Sequence, residues 1–526
     1  MSGLTSDNQI RGAFGTLSDH DTSERRGYRG RLLALLAVIG PGLIVMVGDN
    51  DAGGVSTYAQ AGQNFGYSLL WTLPLLIPVL VVNQEMVARL GVVTGVGHGR
   101  LIRERIGRRW GTFSISAILF LNSLIIVTEF IGISLSMRYF GVSPFASVPV
   151  AAVALFAMTV TGSFRRWERF MMLFVAVNAV VIPLIIHAHL SGARIAHGLV
   201  VPHVRGGFSS AGVLLIISII GTTVAPWQLF FQESNIVDKK ISPRWMNYER
   251  ADTIIGSFVV VIVATLLMGV TAAGLSSHGG TNAYTNALAV ARGLGQHVGH
   301  GSGTLFALIL LNASIIGAAV VTLASSYALG DLSNRFNQGL NVPFREGRDF
   351  YGAFGALLVA AGVVTLVPGA PLGLITLAVQ ALCGLMLPST TIIVLLLAND
   401  RAALGPWVNP RWLNALAVVI VTVLTVLSIV MMISTLFPSA PVVTLLETFG
   451  AMGVVGLIVG LPLGLRRAGP RPVYAGDRLD WRTPRLALLE SLPRTRGRTW
   501  LLRGVATYLT LAGVLLVVRI AQLATS

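Results

Sequence analysis

The sequence predicts an all-α protein that crosses a membrane many times and is built from two related halves. Of its 526 residues, 54% are hydrophobic and only 11% are charged, and the mean hydropathy is +0.74. Soluble domains carry roughly 25% charged residues, so this composition indicates a membrane protein. The apolar runs are about 20 residues long, which is the length that a helix needs to span hydrocarbon. Two runs are interrupted in corresponding places, which indicates an inverted repeat.

Thirteen apolar segments follow one another along the chain, and the first and the sixth are broken. Their approximate extents are 32–64, 67–92, 112–137, 145–163, 167–188, 211–235, 253–276, 303–330, 350–368, 372–398, 412–436, 441–465 and 499–521. We expect about 11–13 transmembrane helices. Residues 31–400 form a predicted ten-helix core with repeats at about 31–190 and 208–400, and residues 410–526 add further membrane helices.

The basic residues predict the orientation of the chain. Lys and Arg are frequent before the first segment and after each even-numbered segment, and they are scarce in the other connections. Because cytoplasmic connections carry the excess of basic residues, we expect residues 1–30 to be a cytoplasmic tail. The tail lacks the pattern of a cleaved signal peptide. Residues 466–498 form a predicted basic cytoplasmic connection near anionic lipid, and the protein is expected in the cell membrane.

The first break lies at residues 48–54, where two acids and three glycines interrupt an apolar run. A carboxylate at membrane depth is costly unless it faces protein, water or an ion. Glycine allows the backbone to leave the helix and to turn its carbonyl groups inward. We therefore expect a broken helix with Asp49 and Asp51 as oxygen ligands. The alternative is a loop that joins two short helices outside the bilayer.

The second break lies in the sixth segment, at residues 217–228. Pro226 removes a backbone donor and clashes with the preceding turn, although a simple proline kink would have the same sequence. The first break lies five segments earlier, and this spacing favours an inverted-repeat transporter in which the two breaks meet at mid-membrane. Carbonyl groups near Ala225 and acids near Asp51 would then provide hard oxygen ligands for a cation.

Several ordered motifs along the chain resemble the NRAMP family of divalent metal transporters. They are found at residues 40–44, 66–71, 88–95, 128–132 and 399–401, and the resemblance covers most of segments one to eleven. It implies a LeuT-type inverted-repeat fold with ten core helices, of which helices one and six are broken. It also implies a transported divalent cation, with no cofactor beyond that ion.

The departures from the family pattern concern the ligands. The first-helix motif Asp-Pro-Gly-Asn reads Asp51-Ala52-Gly53-Gly54 here, and the sixth-helix motif Met-Pro-His reads Ala225-Pro226-Trp227. A second family histidine falls at Gln232 and a third-helix acid at Ile126. The soft thioether is lost while oxygen ligands remain, which favours Mg²⁺ and resembles the NRAMP-related magnesium transporter branch. The loss of both histidines argues against proton coupling.

Together, these observations predict a set of site residues. The expected metal ligands are Asp51, Asp49, Asn50, Ala225 through its carbonyl group, and Gln228. The resemblance also implies Gln380, which lies eight residues before Pro388 and matches a metal-site glutamine of the family's tenth helix. The residues expected around the metal or along its pathway are Gly54, Glu129, Trp227 and Gln232. Other interpretations remain open: Asp49 and Asn50 could cap the inner half-helix, Ala225 and Trp227 could only pack, and buried glutamines need polar partners in any case.

The predicted function is transport of Mg²⁺, and also of Mn²⁺, by alternating access without proton coupling. The alternatives are a proton-coupled Mn²⁺/Fe²⁺ transporter and a sodium-coupled symporter of an organic solute with the same fold. No nucleophile–base pair, nucleotide loop or cofactor motif is evident, so we do not expect an enzyme. The net charge of +16 comes largely from the connections between membrane segments and does not indicate nucleic-acid binding. The sequence gives no indication of the oligomeric state.

Overall fold

A computed structural model describes residues 9–18, 27–278, 283–333, 339–437, 439–467, 476–492 and 495–525. Within those residues the secondary structure is helical except for one hairpin, β1 (Gln9–Gly12) and β2 (Gly15–Ser18). Ten helices there are long and apolar enough to cross a membrane, or eleven if a bent pair at the start of the first segment is one span. Each of the thirteen predicted segments coincides with a helix or a broken helix.

The first half of the chain contains ten helices. They are α1 (Tyr28–Val38), α2 (Pro41–Gly48), α3 (Ala52–Phe65), α4 (Thr72–Thr94), α5 (His98–Arg105), α6 (Arg108–Tyr139), α7 (Pro144–Thr159), α8 (Phe164–Val177), α9 (Val181–His187) and α10 (Gly192–Val200). Short 3₁₀ turns follow α3 and α8, at Gly66–Leu69 and Asn178–Val180.

The second half and the carboxyl-terminal part contain eleven more. They are α11 (Ser210–Thr223), α12 (Pro226–Lys239), α13 (Met246–Leu275), α14 (Ala287–His297), α15 (His300–Ser333), α16 (Arg348–Thr365), α17 (Leu372–Ala398), α18 (Arg401–Leu404), α19 (Arg411–Leu436), α20 (Val442–Arg467) and α21 (Arg496–Thr525). Further 3₁₀ turns lie at Pro243–Trp245, Gly405–Trp407, Arg478–Asp480 and Leu486–Leu488. At the centre, α15 packs along α6, α13 along α3 and α11 along α17.

The predicted break in the first membrane helix is confirmed. Helix α2 ends at Gly48, and α3 begins at Ala52 after an extended Asp51. The same segment also bends by 56° between α1 and α2, a feature that the sequence reading did not predict. Gly40 at this bend has a φ of +150°, which residues with a side chain rarely adopt. The bend therefore depends on a glycine at this position.

The predicted break in the sixth membrane helix is also confirmed. Helix α11 ends at Thr223, and the backbone of Val224 and Ala225 is not helical. Pro226 occupies the first position of α12, where its missing N–H costs nothing because that group would lack a helical partner anyway. The proline therefore starts the second half-helix instead of kinking a continuous one.

Several further elements were not predicted. The β1–β2 hairpin lies inside the predicted tail 1–30, and four helices lie in connections between the predicted segments, namely α5, α10, α14 and α18. The described part of the basic connection also packs on the protein, since Thr483 donates to the carbonyl groups of Val93 (3.0 Å) and Ala403 (2.8 Å). The guanidinium group of Arg478 stacks on Trp407 at 3.8 Å from the ring centre. This stretch thus joins the ends of several helices.

A buried ion pair fastens the bend between α1 and α2. Lys239, at the end of α12, pairs with Glu168 of α8 at 2.6 Å, and both side chains are fully buried. The same ammonium group donates to the carbonyl groups of Val38 (2.6 Å) and Ile39 (3.1 Å), which the bend releases from the helix. Asp252 of α13 accepts three backbone N–H groups on the other side of the bend, at Gly40, Gly42 and Leu43. Helices α8, α12 and α13 therefore hold α1 and α2 together.

We expect Lys239→Met to lower the unfolding free energy by roughly 3–5 kcal/mol, because it leaves the Glu168 carboxylate buried without its cation. The double variant Lys239→Met/Glu168→Gln should recover most of that loss. Thermal unfolding in detergent measures both. The matched control is Arg100→Met, which breaks the Arg100–Glu104 pair, whose side chains are 53% and 31% exposed; it should cost less than about 1 kcal/mol. Equal effects of the two single variants would contradict this account.

Candidate metal site

The two helix breaks face each other inside the protein. A methyl group on Gly54 of α3 would lie 2.8 Å from the carbonyl oxygen of Asp49 and 3.2 Å from the hydroxyl oxygen of Thr222 in α11. Asp49, Asp51 and the surrounding polar side chains are at most 2% exposed. The breaks therefore meet in an enclosed polar centre, as the sequence predicts.

Asp49 carries a carboxylate that is buried between the two breaks. It faces the Gln228 side chain and the backbone amide of Ala225, but neither of its oxygens has a partner of hydrogen-bonding geometry among the described residues. Burying a carboxylate is costly unless a charge or hydrogen bonds compensate it. Asp49 is therefore the side chain in this centre that most needs a cation.

Asp51 has a different local role. Its Oδ1 accepts the N–H of Gly54 at 2.6 Å and so caps the amino terminus of α3. Its carboxyl group also contacts that of Glu129 on α6, whose Oε2 accepts the N–H of Ala52 at 3.0 Å. A methyl group on Gly317 of α15 would clash with Glu129 and lie 2.9 Å from the Asp51 Cβ. Because Gly317 has no side chain, α15 can pack directly against Asp51 and Glu129.

Two glutamines approach the same centre from other helices. The Gln228 Oε1 accepts the Nε2–H of Gln84 on α4 at 2.8 Å, while the Gln228 Nε2 has no partner among the described residues. Amide oxygen and nitrogen atoms are assigned from such hydrogen-bond networks. Rotating the amides of Gln84 and Gln228 together would turn the Gln228 oxygen toward Asp49, where it could help to bind a cation. Gln380 of α17 lies directly against Gly53, and its Nε2 also has no partner there.

The carbonyl group of Ala225 lies at the break, as predicted. It accepts the N–H of Gln228 at 3.2 Å, which occupies one of its two lone pairs. The second lone pair can contribute to a cation site.

The remaining predicted residues take other positions. The Asn50 amide donates to the carbonyl group of Val260 at 3.3 Å, so its nitrogen faces α13. The Trp227 ring packs beside Gly48 at the end of α2. The Gln232 amide donates to Thr253 (3.0 Å) and to Glu249 (3.3 Å), about two turns beyond the break. Gly54 donates its N–H to Asp51, and because it has no side chain, Asp49 and Thr222 can lie close to it. It does not leave an open cavity.

Three residues in this centre had been given no role by sequence reasoning: Gln84, Thr222 and Gly317. Gln84 could have been recognised from the sequence, because it lies within an apolar helix and a buried amide needs a polar partner. Gly317 is one of 58 glycines, and the sequence around it did not distinguish it from the others.

The donor set is chemically hard. Among the described residues no three His, Cys, Asp or Glu side chains form a cluster that could hold a metal. An ion between the breaks would therefore take two carboxylates, amide oxygens and backbone carbonyl groups. Oxygen ligands of this kind suit Mg²⁺ and Mn²⁺ better than soft metals.

An enclosed polar centre between two broken helices, inside a multi-pass helical protein, defines a membrane transporter with the LeuT-type fold. The chain belongs to the Nramp family, because the family model of natural resistance-associated macrophage protein-like proteins matches residues 42–434. Both the predicted family and the predicted fold class are thereby confirmed.

Individual relatives agree with this assignment. The divalent metal cation transporter MntH of Ralstonia nicotianae is 27% identical over 399 residues, which are 73% of this chain and 87% of that protein. The MntH of Xanthomonas campestris is 28% identical over 406 residues, covering 73% and 88%. The crystal structure of the Eremococcus coleocola manganese transporter aligns with a TM-score of 0.63 at 20% identity, over 89% of this chain and 100% of that one.

We expect Gly53→Ala to weaken Mn²⁺ binding about tenfold, because the new methyl group would clash with Gln380 and turn its amide away. The melting temperature should change little, since the end of a flexible side chain can move. Isothermal titration with Mn²⁺ measures the affinity. Gly456→Ala is the control, because a methyl group there has no neighbour within 4 Å. An unchanged affinity in Gly53→Ala would remove Gln380 from the site.

Proposed function

We propose that this protein carries divalent cations, chiefly Mg²⁺ and also Mn²⁺, across the cell membrane by alternating access and without proton coupling. The observation that carries the proposal is the Asp49 carboxylate, which is buried at the meeting point of two helix breaks with neither oxygen hydrogen-bonded among the described residues. A mobile divalent cation is the natural counter-charge for such a group. Lys and Arg are concentrated before the first membrane segment and after the even-numbered segments, which supports a cytoplasmic amino terminus.

The preference for a hard ion rests on Ala225. The family has a methionine at this position, and a thioether favours soft metals. Here the position offers only a methyl group and a carbonyl oxygen, so residue 225 supplies no thioether to the site. Mg²⁺ requires oxygen ligands and keeps several of its waters, which fits a site made of carboxylates, carbonyls and amides.

Alternating access is supported by the enclosure of the site. Asp49, Asp51 and Gln380 are at most 2% exposed, so an ion can enter or leave only after the helices move. A cavity of about 790 Å³ opens on the side opposite to the amino terminus, between the end of α6, α14 and the start of α17. Glu129 and Gln380 lie further along two of these helices. A membrane potential negative inside would draw a divalent ion inward by about 4.6 kcal/mol per 100 mV.

Proton-coupled transport of Mn²⁺ is the second candidate, and one contact favours it. The carboxyl groups of Asp51 and Glu129 lie against each other in the enclosed centre. Two such groups share a proton more readily than they carry two charges. Entry of a cation could therefore release a proton even without the family histidines.

Liposomes that contain the purified protein should take up Mg²⁺ and Mn²⁺ with little preference for softer metals, because Ala225 supplies no thioether at the second break. Asp49→Ala should abolish uptake, because it removes the buried carboxylate that lacks hydrogen bonds among the described residues. Asp51→Ala should also abolish it, because it removes a second carboxylate together with the cap of α3. Ala225→Met should shift the preference toward Cd²⁺. Uptake is followed with an ion-sensitive dye at a fixed potential. Strong Cd²⁺ uptake with neither Mg²⁺ uptake nor competition by Mg²⁺ would refute the proposed selectivity.

Metal uptake should leave the pH of the liposome lumen unchanged, because Trp227 and Gln232 occupy the positions of the family histidines. A pH-sensitive dye inside the liposomes tests this, with the potential clamped by K⁺ and valinomycin. The Asp51→Ala protein is the control for leak. Acidification that requires metal and is absent from this control would replace the proposal by the proton-coupled candidate.

A further inference from the structure

The amino-terminal hairpin has one buried face and one exposed face. Strands β1 and β2 pair antiparallel, with Ile10 opposite Leu17 and Arg11 opposite Thr16. Ile10 and Leu17 are at most 3% exposed, whereas Arg11 and Thr16 point to the surface. The alternation is that of a strand pair that lies with one side on the protein. The hairpin is therefore a packed element of the fold.

The seat of the hairpin is the end of α1, beside the bend. Gly12 and Gly15 both approach Ala37 so closely that a methyl group on Gly12 would clash with its carbonyl group. A methyl group on Gly15 would lie 2.9 Å from the Ala37 Cβ. Arg169 of α8 donates to the carbonyl group of Ala13 in the hairpin turn at 3.0 Å. A methyl group on Gly12 would also lie 3.3 Å from Lys239 of α12. The hairpin thus bridges α1, α8 and α12.

The hairpin lies over α1 and α2, which lead to the site from the amino-terminal side. Under the proposed alternating access, opening on that side would require these two helices to move. Helices α1 and α2 lead directly into Asp49, and the bend between them is held by Lys239 and Asp252. The hairpin covers the same bend from outside. Any displacement of α1 away from α8 and α12 would separate Ala37 from Gly12 and Gly15.

We propose that the β1–β2 hairpin is a latch that keeps the metal site closed on the amino-terminal side and releases α1 when the cation leaves there. The inference rests on the alternating access of the proposed function. The latch acts through shape and apolar contact, because glycines at positions 12 and 15 allow backbone approach and Ile10 and Leu17 supply the buried surface. The opposite interpretation is a hairpin that stays seated throughout transport.

A reversible cross-link tests the latch in the full-length protein. In Gly15→Cys/Ala37→Cys the two Cβ atoms start 2.9 Å apart, and a disulfide needs about 3.5–4.5 Å, so a small displacement of the hairpin suffices. Cys383 is buried and can remain in place. Oxidation should lower Mn²⁺ uptake by liposomes at least about tenfold, and a reductant should restore it. Each single-cysteine variant is a control. Full uptake by the cross-linked protein would overturn the latch.

Labelling of a cysteine at position 37 gives a second readout that does not depend on transport. Ala37 is 1% exposed beneath the hairpin, so Ala37→Cys should react slowly with a membrane-impermeant maleimide. Adding Leu17→Asp should raise the labelling rate at least about tenfold, because a carboxylate cannot remain in the apolar seat. Adding Thr16→Asp, on the exposed face of the same strand, should not.

The two readouts separate the latch from the proposed function. If the protein without substitutions takes up no cation while Leu17→Asp selectively exposes position 37, alternating access of a metal is wrong, and the releasable seat of the hairpin stands. If Leu17→Asp and Thr16→Asp label equally, the latch is wrong, whatever the uptake shows.

Discussion

The structure depends on the cost of placing carboxylates in the middle of a membrane protein. Asp49 and Asp51 lie in a region of low dielectric, where an unpaired charge is strongly unfavourable. Asp51 meets that cost through the amino-terminal N–H groups of α3, and its contact with Glu129 is favourable when the two acids share a proton. Asp49 has no such bonds among the described residues. The centre is therefore stable in an enclosed form only with a proton or a cation beside these acids, which links its shape to its cargo.

Breaking two helices requires that the released backbone groups find partners elsewhere. At the first break a side-chain carboxylate caps α3, and at the bend before it Lys239 and Asp252 take the free carbonyl and N–H groups. At the second break Pro226 begins α12. Because proline has no backbone N–H, one fewer donor needs a partner there. These compensations come from helices that are distant in sequence, so the first part of the broken helix, α1 and α2, is held by α8, α12 and α13. The hairpin adds a contact on the same segment.

The chain keeps the scaffold of its family, and we propose that it differs in the chemistry at the centre. The family match over residues 42–434 and the fold shared with a manganese transporter concern the scaffold. The proposed difference lies in a few side chains: Ala225 stands where the family pattern has a thioether, and Trp227 and Gln232 stand where it has histidines. Gln232 is bonded to Glu249 and Thr253 and has no place in the ion site itself. Oxygen atoms that could bind a cation remain at the breaks. The contacting acids Asp51 and Glu129 could still release a proton when a cation binds.

The sequence by itself determined the helices, both breaks and the family, because hydropathy, glycine and proline act locally and leave a readable pattern along the chain. The residues at the breaks were predictable for the same reason. The tertiary structure decided which of them are compensated: that Asp51 is a cap and Asp49 is not, that Gln84 holds Gln228, and that Gln232 bonds to α13. It also decided that residues 9–18 form a hairpin seated on Ala37. Each of these facts depends on contacts between residues far apart in the chain, and hydrogen bonding and close packing between such residues leave no periodic signal in a single sequence.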